Sequence, residues 1–170
     1  MTAEFVDGFD RLPGRCAPVV TALQAAGIAP RVRLFAETAK TAQLAADLLG
    51  CPVGAIANSL IFESIHDDGR TAPLLIMTSG AHRVDTHKVA AELGRQRIRR
   101  ADPEVVRAAT GQVIGGVAPC GHPAPVETII DVDLAAYDVL WAAAGTHDTV
   151  FALTYSELVG LTGGRELSVA

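Results

Sequence analysis

Asn58 lies inside Ile56-Ala57-Asn58-Ser59-Leu60-Ile61-Phe62, a run apolar enough for a buried strand, where a carboxamide must find hydrogen-bond partners or cost stability. An amide donates and accepts hydrogen bonds, so it can orient a water or a hydroxyl, but it cannot act as a general base. Further on, Ile114-Gly115-Gly116-Val117-Ala118-Pro119 is too rich in glycine and proline for a regular interior. Glycine permits close approach and dihedrals that other residues forbid, so such a loop can aim backbone N–H groups at a developing oxyanion. Taken alone, a Gly-Gly turn is more often structural.

Other groupings are weaker. Cys120 and His122 invite a thiol-nucleophile reading, yet adjacency in a glycine-proline loop fixes no direction and most lone cysteines simply pack. His82, Asp85 and His87 have the right types for a metal with Cys120, His122 or His147, but the spacings match no compact zinc motif. Asp85 is more simply a helix cap. Ser59 follows Asn58 on the strand and points to the opposite face, and no G-x-S-x-G elbow is present, so a serine hydrolase is not indicated. Asp131 ends an apolar strand and Gly145 follows Ala142-Ala143-Ala144. Either can face a ligand, although a turn former and a strand end are the ordinary explanations.

The elements that must hold these residues are legible from periodicity and punctuation. Pro18 and Gly27 bracket an apolar helical face, Arg31 to Phe35 alternates as a strand, and Thr41 to Leu49 is helical up to Gly50. Strand Ile56 to Ser64, the turn Asp67-Asp68-Gly69 and strand Pro73 to Met77 predict an antiparallel hairpin. A helix capped by Asp85 or Thr86 runs to Leu93, and Asp102-Pro103-Glu104 opens another ending near Gly111. Val126 to Asp131, Val139 to Ala143 and Val150 to Leu153 read as strands, and Thr154-Tyr155-Ser156-Glu157 has capping-box spacing for a last helix before Gly163-Gly164. Interleaved helices with one tight strand pair predict an α/β fold: a mixed, partly antiparallel sheet flanked by helices.

Composition bounds the rest. The 170 residues, 49% hydrophobic and 19% charged, fit one packed domain over 1–170, its first thirty residues a helical extension integral to it. Acidic Glu4, Asp7 and Asp10 do not make a secretory leader, and no stretch approaches the roughly 20 apolar residues that span a bilayer. Three widely spaced cysteines suggest neither a disulfide framework nor a CxxC site, so a reducing cytoplasm fits. A net charge of −5 argues against broad binding to duplex DNA. Lys88, Arg95, Arg97, Arg99, Arg100 and Arg107 nevertheless concentrate positive charge locally.

Thr41-Ala42 with Ala45-Ala46 and Leu49-Gly50, Ile56 to Phe62, Ser79-Gly80 with Arg83-Val84-Asp85, Arg100-Ala101-Asp102 through Thr110-Gly111, and Ile114 to His122 form an ordered set. Together with Ile130-Asp131 and Trp141 to Gly145, it resembles in order and spacing the YbaK/ProX family of free-standing aminoacyl-tRNA editing domains. The resemblance implies a mixed α/β editing fold that hydrolyses the ester between a wrong amino acid and the 3′ end of a tRNA, without metal or organic cofactor. The need is physical: a synthetase pocket separates substrates one methylene apart by only about 1–3 kcal/mol, so a second site must remove errors. Alanine, serine and threonine are the expected cargoes.

By the same resemblance, Gly115 to Pro119 match the family's Gly-x-x-x-Pro element and Asn58 stands where the family carries a lysine. The implied catalytic set is Asn58, Gly115, Gly116 and Pro119. Gly80, His82, His122, Asp131 and Gly145 are implied for substrate, and Lys88, Arg97, Arg99 and Arg100 for tRNA. The expected partners are the aminoacyl-tRNA acceptor end and an aminoacyl-tRNA synthetase, with no membrane. Two alternatives stand beside the deacylase: a non-catalytic homologue that binds tRNA or a synthetase, because Asn58 replaces the lysine, and a hydrolase for another small acyl ester.

Overall fold

The structure is a computed structural model that describes residues 12–170; the acidic positions Glu4, Asp7 and Asp10 lie outside the described residues. Helix α1 (Ala17–Ala25) packs Val19 and Leu23 inward, β1 is Val32–Leu34, and α2 (Ala42–Leu49) follows. Thr41 caps α2 by accepting from the Leu44 N–H, and Gly50 closes it in the left-handed conformation. The hairpin forms as the sequence predicts: β2 (Ala57–Ile65) and β3 (Thr71–Ser79) pair antiparallel, Asn58 opposite Thr78. In its turn Gly69 has φ +84°, and Asp68 accepts from the Arg70 N–H.

Helix α3 (Thr86–Leu93) is capped by Asp85, which accepts from the N–H groups of His87 and Lys88. Helix α4 (Pro103–Thr110) follows β4 (Arg97–Arg100); Asp102 stands at its cap position, but its side chain makes no cap hydrogen bond. Next come β5 (Glu127–Asp131), β6 (Leu140–Ala143), β7 (Thr149–Leu153), α5 (Tyr155–Thr162) and β8 (Arg165–Leu167). Thr154 and Glu157 form the expected capping box of α5.

The mixed, partly antiparallel sheet flanked by helices is present as the sequence predicts, and a second, smaller sheet lies beside it. A five-stranded sheet runs β4-β2-β3-β5-β8, parallel at β3/β5 and β5/β8, and a three-stranded antiparallel sheet runs β1-β7-β6. A single parallel bridge, Ile56 to Trp141, links them. Alternation along β2 directs Ala57 and Ile61 into a core shared with Leu140, Ala142 and Phe151 of the smaller sheet and with Val19 and Leu23. Phe62 faces the other way, against Val89, Ala90 and Ile98.

One irregularity positions the site. Strand β4 pairs with β2 only over Phe62 to Ile65, so the first half of β2, which carries Asn58, has no strand on that side among the described residues. Among the described residues the smaller sheet makes its one backbone bridge to this edge at Ile56. The gap between them is the cavity described next.

Candidate functional site

The cavity, about 280 Å³, is bounded by the open edge of β2 from Ile56 to Ile61, by Lys40 to Ala45 at the start of α2, by Arg100 and Ala101, by Gly115 and Val117, and by Trp141, His147 and Thr149. It is of a size for a small ligand. Asn58 is half-buried in its wall rather than sunk in the core. Its side chain bonds to no other described residue, although every buried side-chain polar atom among them is satisfied. The expectation of a buried, internally satisfied amide is therefore corrected: β4 stops short of this position, so the amide opens onto the cavity. Ser59 takes the opposite face, as alternation predicts, and its hydroxyl donates to the Met77 sulfur at 3.2 Å.

The glycine loop reaches the cavity through Gly115 and Val117. Gly115 needs its glycine because φ is +85°. Gly116 needs it for another reason: a Cβ there would stand 2.7 Å from the Thr146 carbonyl carbon and 2.9 Å from the His147 nitrogen, so the loop lies directly against the turn between β6 and β7. The Gly116 N–H is used on the Val113 carbonyl at 2.9 Å, and the Ala118 N–H on the Gln112 side-chain oxygen at 2.7 Å. Pro119 has no N–H to offer. The N–H groups of Gly115 and Val117 donate to no other described residue. Gly116 and Pro119 hold the loop but do not line the cavity, which Gly115 and Val117 do.

Gln112 braces that loop. It is buried, its amide oxygen accepts from Ala118, its nitrogen donates to the Cys120 carbonyl at 3.3 Å, and its backbone N–H donates to Thr110 Oγ1 at 3.0 Å. Nothing in the sequence pattern singles it out, because a polar residue after a helix-ending glycine ordinarily faces solvent. Lys40 escapes sequence reasoning for a related reason: only the folded chain brings it to the same hollow as Asn58. The sequence offers His147 only as a metal ligand, yet its Cβ would be 3.9 Å from a Cβ on Gly115, at the cavity.

Several residues expected at the site lie elsewhere. Gly80 is packed against Val53, Ala42 and Ile56, where any Cβ would collide with the Val53 carbonyl. Gly145, with φ +109°, abuts the Arg15 carbonyl. His122 lies in a separate depression beside Pro18 and Gly111, with Nε2 at 2.8 Å from the Ala118 carbonyl. Burial holds its imidazole below the usual histidine range, partly offset by that hydrogen bond. Burial pushes the Cys120 thiol up to about 12, so it is no nucleophile at neutral pH.

His82 and Asp131 form their own cluster. Asp131 is almost completely buried; its Oδ2 accepts from the Ser79 N–H at 3.0 Å and lies 2.8 Å from His82 Nδ1, while its Oδ1 accepts from the Asp133 N–H. His82 Nε2 is 3.3 Å from Asp133. Ligand atoms of these three residues lie within 4.8 Å of one another, as a metal site would require, but each is already engaged with its neighbours. The cluster ties the segment after β3 to the end of β5. It shares with Asn58 the sheet row that runs through Thr78, whose hydroxyl donates to Asp131 at 3.4 Å.

Of the basic residues expected to meet tRNA, only Arg100 reaches the cavity. Lys88 donates to Ser168 and to the Ala170 carbonyl, Arg99 pairs with Glu63 at 2.7 Å, and Arg97 is exposed on the same strand without a described partner. Arg95 forks onto both oxygens of Glu127.

Comparison with known proteins gives this geometry its context. Residues 36–161 match the model of the aminoacyl-tRNA editing domain. The uncharacterized protein YwhH of Bacillus subtilis is 31% identical over 124 residues, 73% of this chain and 76% of its own length. The crystal structure of a candidate trans-editing enzyme for prolyl tRNA synthetase superposes with a TM-score of 0.84 at 36% identity, covering 93% of this chain and 98% of that one. The hypothetical protein APE2540, 23% identical with a TM-score of 0.77 over 88% and 96% of the two chains, speaks to the fold alone. The matched residues run from just before α2 into α5 and include every described residue of the cavity wall except Phe35, and the chain belongs to the aminoacyl-tRNA editing domain family of YbaK/ProX type.

Proposed function

We propose that this chain is a trans-acting aminoacyl-tRNA deacylase that works in the cytoplasm on a mischarged tRNA bearing a small amino acid of the alanine, serine or threonine class. One observation carries the reading: a single cavity is lined by Asn58, whose amide has no described partner, and by Gly115 and Val117, whose N–H groups have none among the described residues. Water attacks the ester carbonyl carbon, the carbonyl electron pair moves onto oxygen, and the two N–H groups hold that oxyanion. Collapse breaks the bond to the ribose oxygen, which leaves with a proton, so the products are a free amino acid and a tRNA with a free terminal hydroxyl.

Asn58 orients the water or the neighbouring ribose hydroxyl, since an amide positions a proton-bearing group without taking its proton. His147 lines the same cavity beside Gly115 and has the side-chain type most often used in general acid–base catalysis. Ala42, Ala45, Ala57 and Ala143 with Ile56 and Trp141 leave room for a short side chain. Removing a single preorganised oxyanion donor costs about 10²–10³ in rate in comparable sites.

A second reading, a non-catalytic homologue that binds tRNA or a synthetase, is favoured by Asn58 itself, which lacks the lysine's charge. A panel of alanyl-, seryl- and threonyl-tRNAs mischarged on non-cognate tRNA separates the two. Enzyme-dependent loss of the ester supports the deacylase; saturable, salt-sensitive binding with the ester intact supports the binding protein.

A further inference from the structure

Charge is distributed unevenly between this chain and its cavity. The chain carries a net charge of −5, yet the described residues that line the cavity include Lys40, Arg100 and His147 and no carboxylate. The basic side chains nearby are largely neutralised: Arg99 is held by Glu63 and Arg95 by Glu127. Arg100, on the same strand as Arg99, escapes this pairing. Its guanidinium lies over the Phe62 ring, 5.6 Å from the centroid, and no carboxylate among the described residues accepts from it. A ring contact of that kind orders the side chain without consuming its donors.

Lys40, just before α2, is exposed and likewise without a described partner. The two cations come from separate elements and meet the same hollow. A concavity whose described lining holds cations and no acids focuses a positive field on whatever enters it. The ligand it selects is an anion.

We infer that Lys40 and Arg100 form a phosphate clamp that grips the phosphodiester next to the acylated terminal adenosine. The inference rests on the deacylase reading for the identity of that RNA end, and it assigns the positive charge absent at Asn58 to other positions. Arg100 supplies a planar, multi-donor fork and Lys40 a mobile point charge, the two common ways of holding phosphate. The clamp contributes to binding of the RNA and not to bond breaking.

The test compares wild type with Lys40→Gln, Arg100→Gln and the double variant, using Arg165→Gln on β8 as a control for net charge. Turnover is measured on mischarged tRNA and on the corresponding 3′-O-aminoacyl adenosine, which has the ester but no phosphate. Binding of an uncharged oligonucleotide ending in CCA is measured by fluorescence anisotropy at several salt concentrations. KM for the tRNA is expected to rise about fivefold for each single variant with kcat nearly unchanged, as for partly screened charge contacts.

Turnover of the aminoacyl adenosine stays within about twofold, and the salt slope of oligonucleotide binding flattens by roughly 0.7 for each phosphate that the variant no longer neutralises. Unchanged tRNA KM and oligonucleotide binding in the double variant overturn the clamp, as does an equal fall in turnover of the phosphate-free ester. If wild type cleaves neither substrate, the deacylase reading fails by itself. The binding measurement then still decides the clamp, which stands if the double variant binds the oligonucleotide more weakly with a flatter salt slope and falls if its binding matches wild type.

Discussion

Gly116→Ala perturbs the cradle without touching any group assigned to the chemistry. The added Cβ would stand 2.7 Å from the Thr146 carbonyl carbon, 2.8 Å from its Cα and 2.9 Å from the His147 nitrogen. These are backbone atoms that cannot swing aside. Ordinary carbon contact begins near roughly 3.5 Å, so the glycine loop and the β6–β7 turn must part by about 0.8 Å. Overpacking of this kind costs about 1–3 kcal/mol of stability. The larger effect falls on geometry, because Gly115 and His147 lie on the two segments forced apart, and a displacement approaching about 1 Å can cost about 10²-fold in rate. The assay is kcat/KM on a mischarged tRNA, with a urea unfolding curve on the same sample. Gly160→Ala is the control: it is exposed in α5 with nothing within 4 Å of the added Cβ, and it should stabilise by about 0.5–1 kcal/mol with activity unchanged. If Gly116→Ala retains wild-type turnover and stability, the loop does not hold the donors as argued.

Asp131→Asn should lower stability by about 1.5–3 kcal/mol, seen as a shift in the denaturation midpoint, because a buried carboxylate accepting from Ser79 and Asp133 and facing His82 becomes an amide with one acceptor oxygen. His122 gives a pH dependence whose sign follows from burial. Its folded form disfavours the proton, so its contribution is present above the usual histidine range and is lost as pH falls through the lower folded value. Unfolding midpoints measured from neutral pH downward should therefore decline less steeply in His122→Gln than in wild type. Cys120→Ala should turn over mischarged tRNA near neutral pH within about twofold of wild type, since the thiol, pushed up to about 12, is fully protonated there; a fall of two orders of magnitude would revive the thiol mechanism.

Helices and the hairpin are legible because their signals are local: Thr41, Asp85, the Thr154–Glu157 box and Gly69 each act within four residues of their partners. Strand β4 reads only as a run of basic residues, because Arg97, Arg99 and Arg100 mask the single inward residue, Ile98, that ties it to the core. The division into two sheets depends on β1 pairing with β7 across more than a hundred residues, which no local pattern encodes. At the site, the sequence singles out Asn58 and Gly115, and the structure places both on one cavity. It could not show which N–H groups stay free. That depends on Gln112 taking the Ala118 donor and Val113 taking that of Gly116. Gly80 and Gly145 read as candidate ligand contacts, whereas close packing accounts for both.

The most direct test is a single-turnover measurement of ester loss from mischarged alanyl-tRNA by wild type and by Asn58→Ala, each checked by its unfolding midpoint. Because the Asn58 side chain bonds to no other described residue, the substitution should leave stability within about 0.5 kcal/mol. The account predicts rapid ester loss by wild type and a rate at least about tenfold lower in the variant. Equal rates in the two proteins, or an intact ester with wild type, would contradict it.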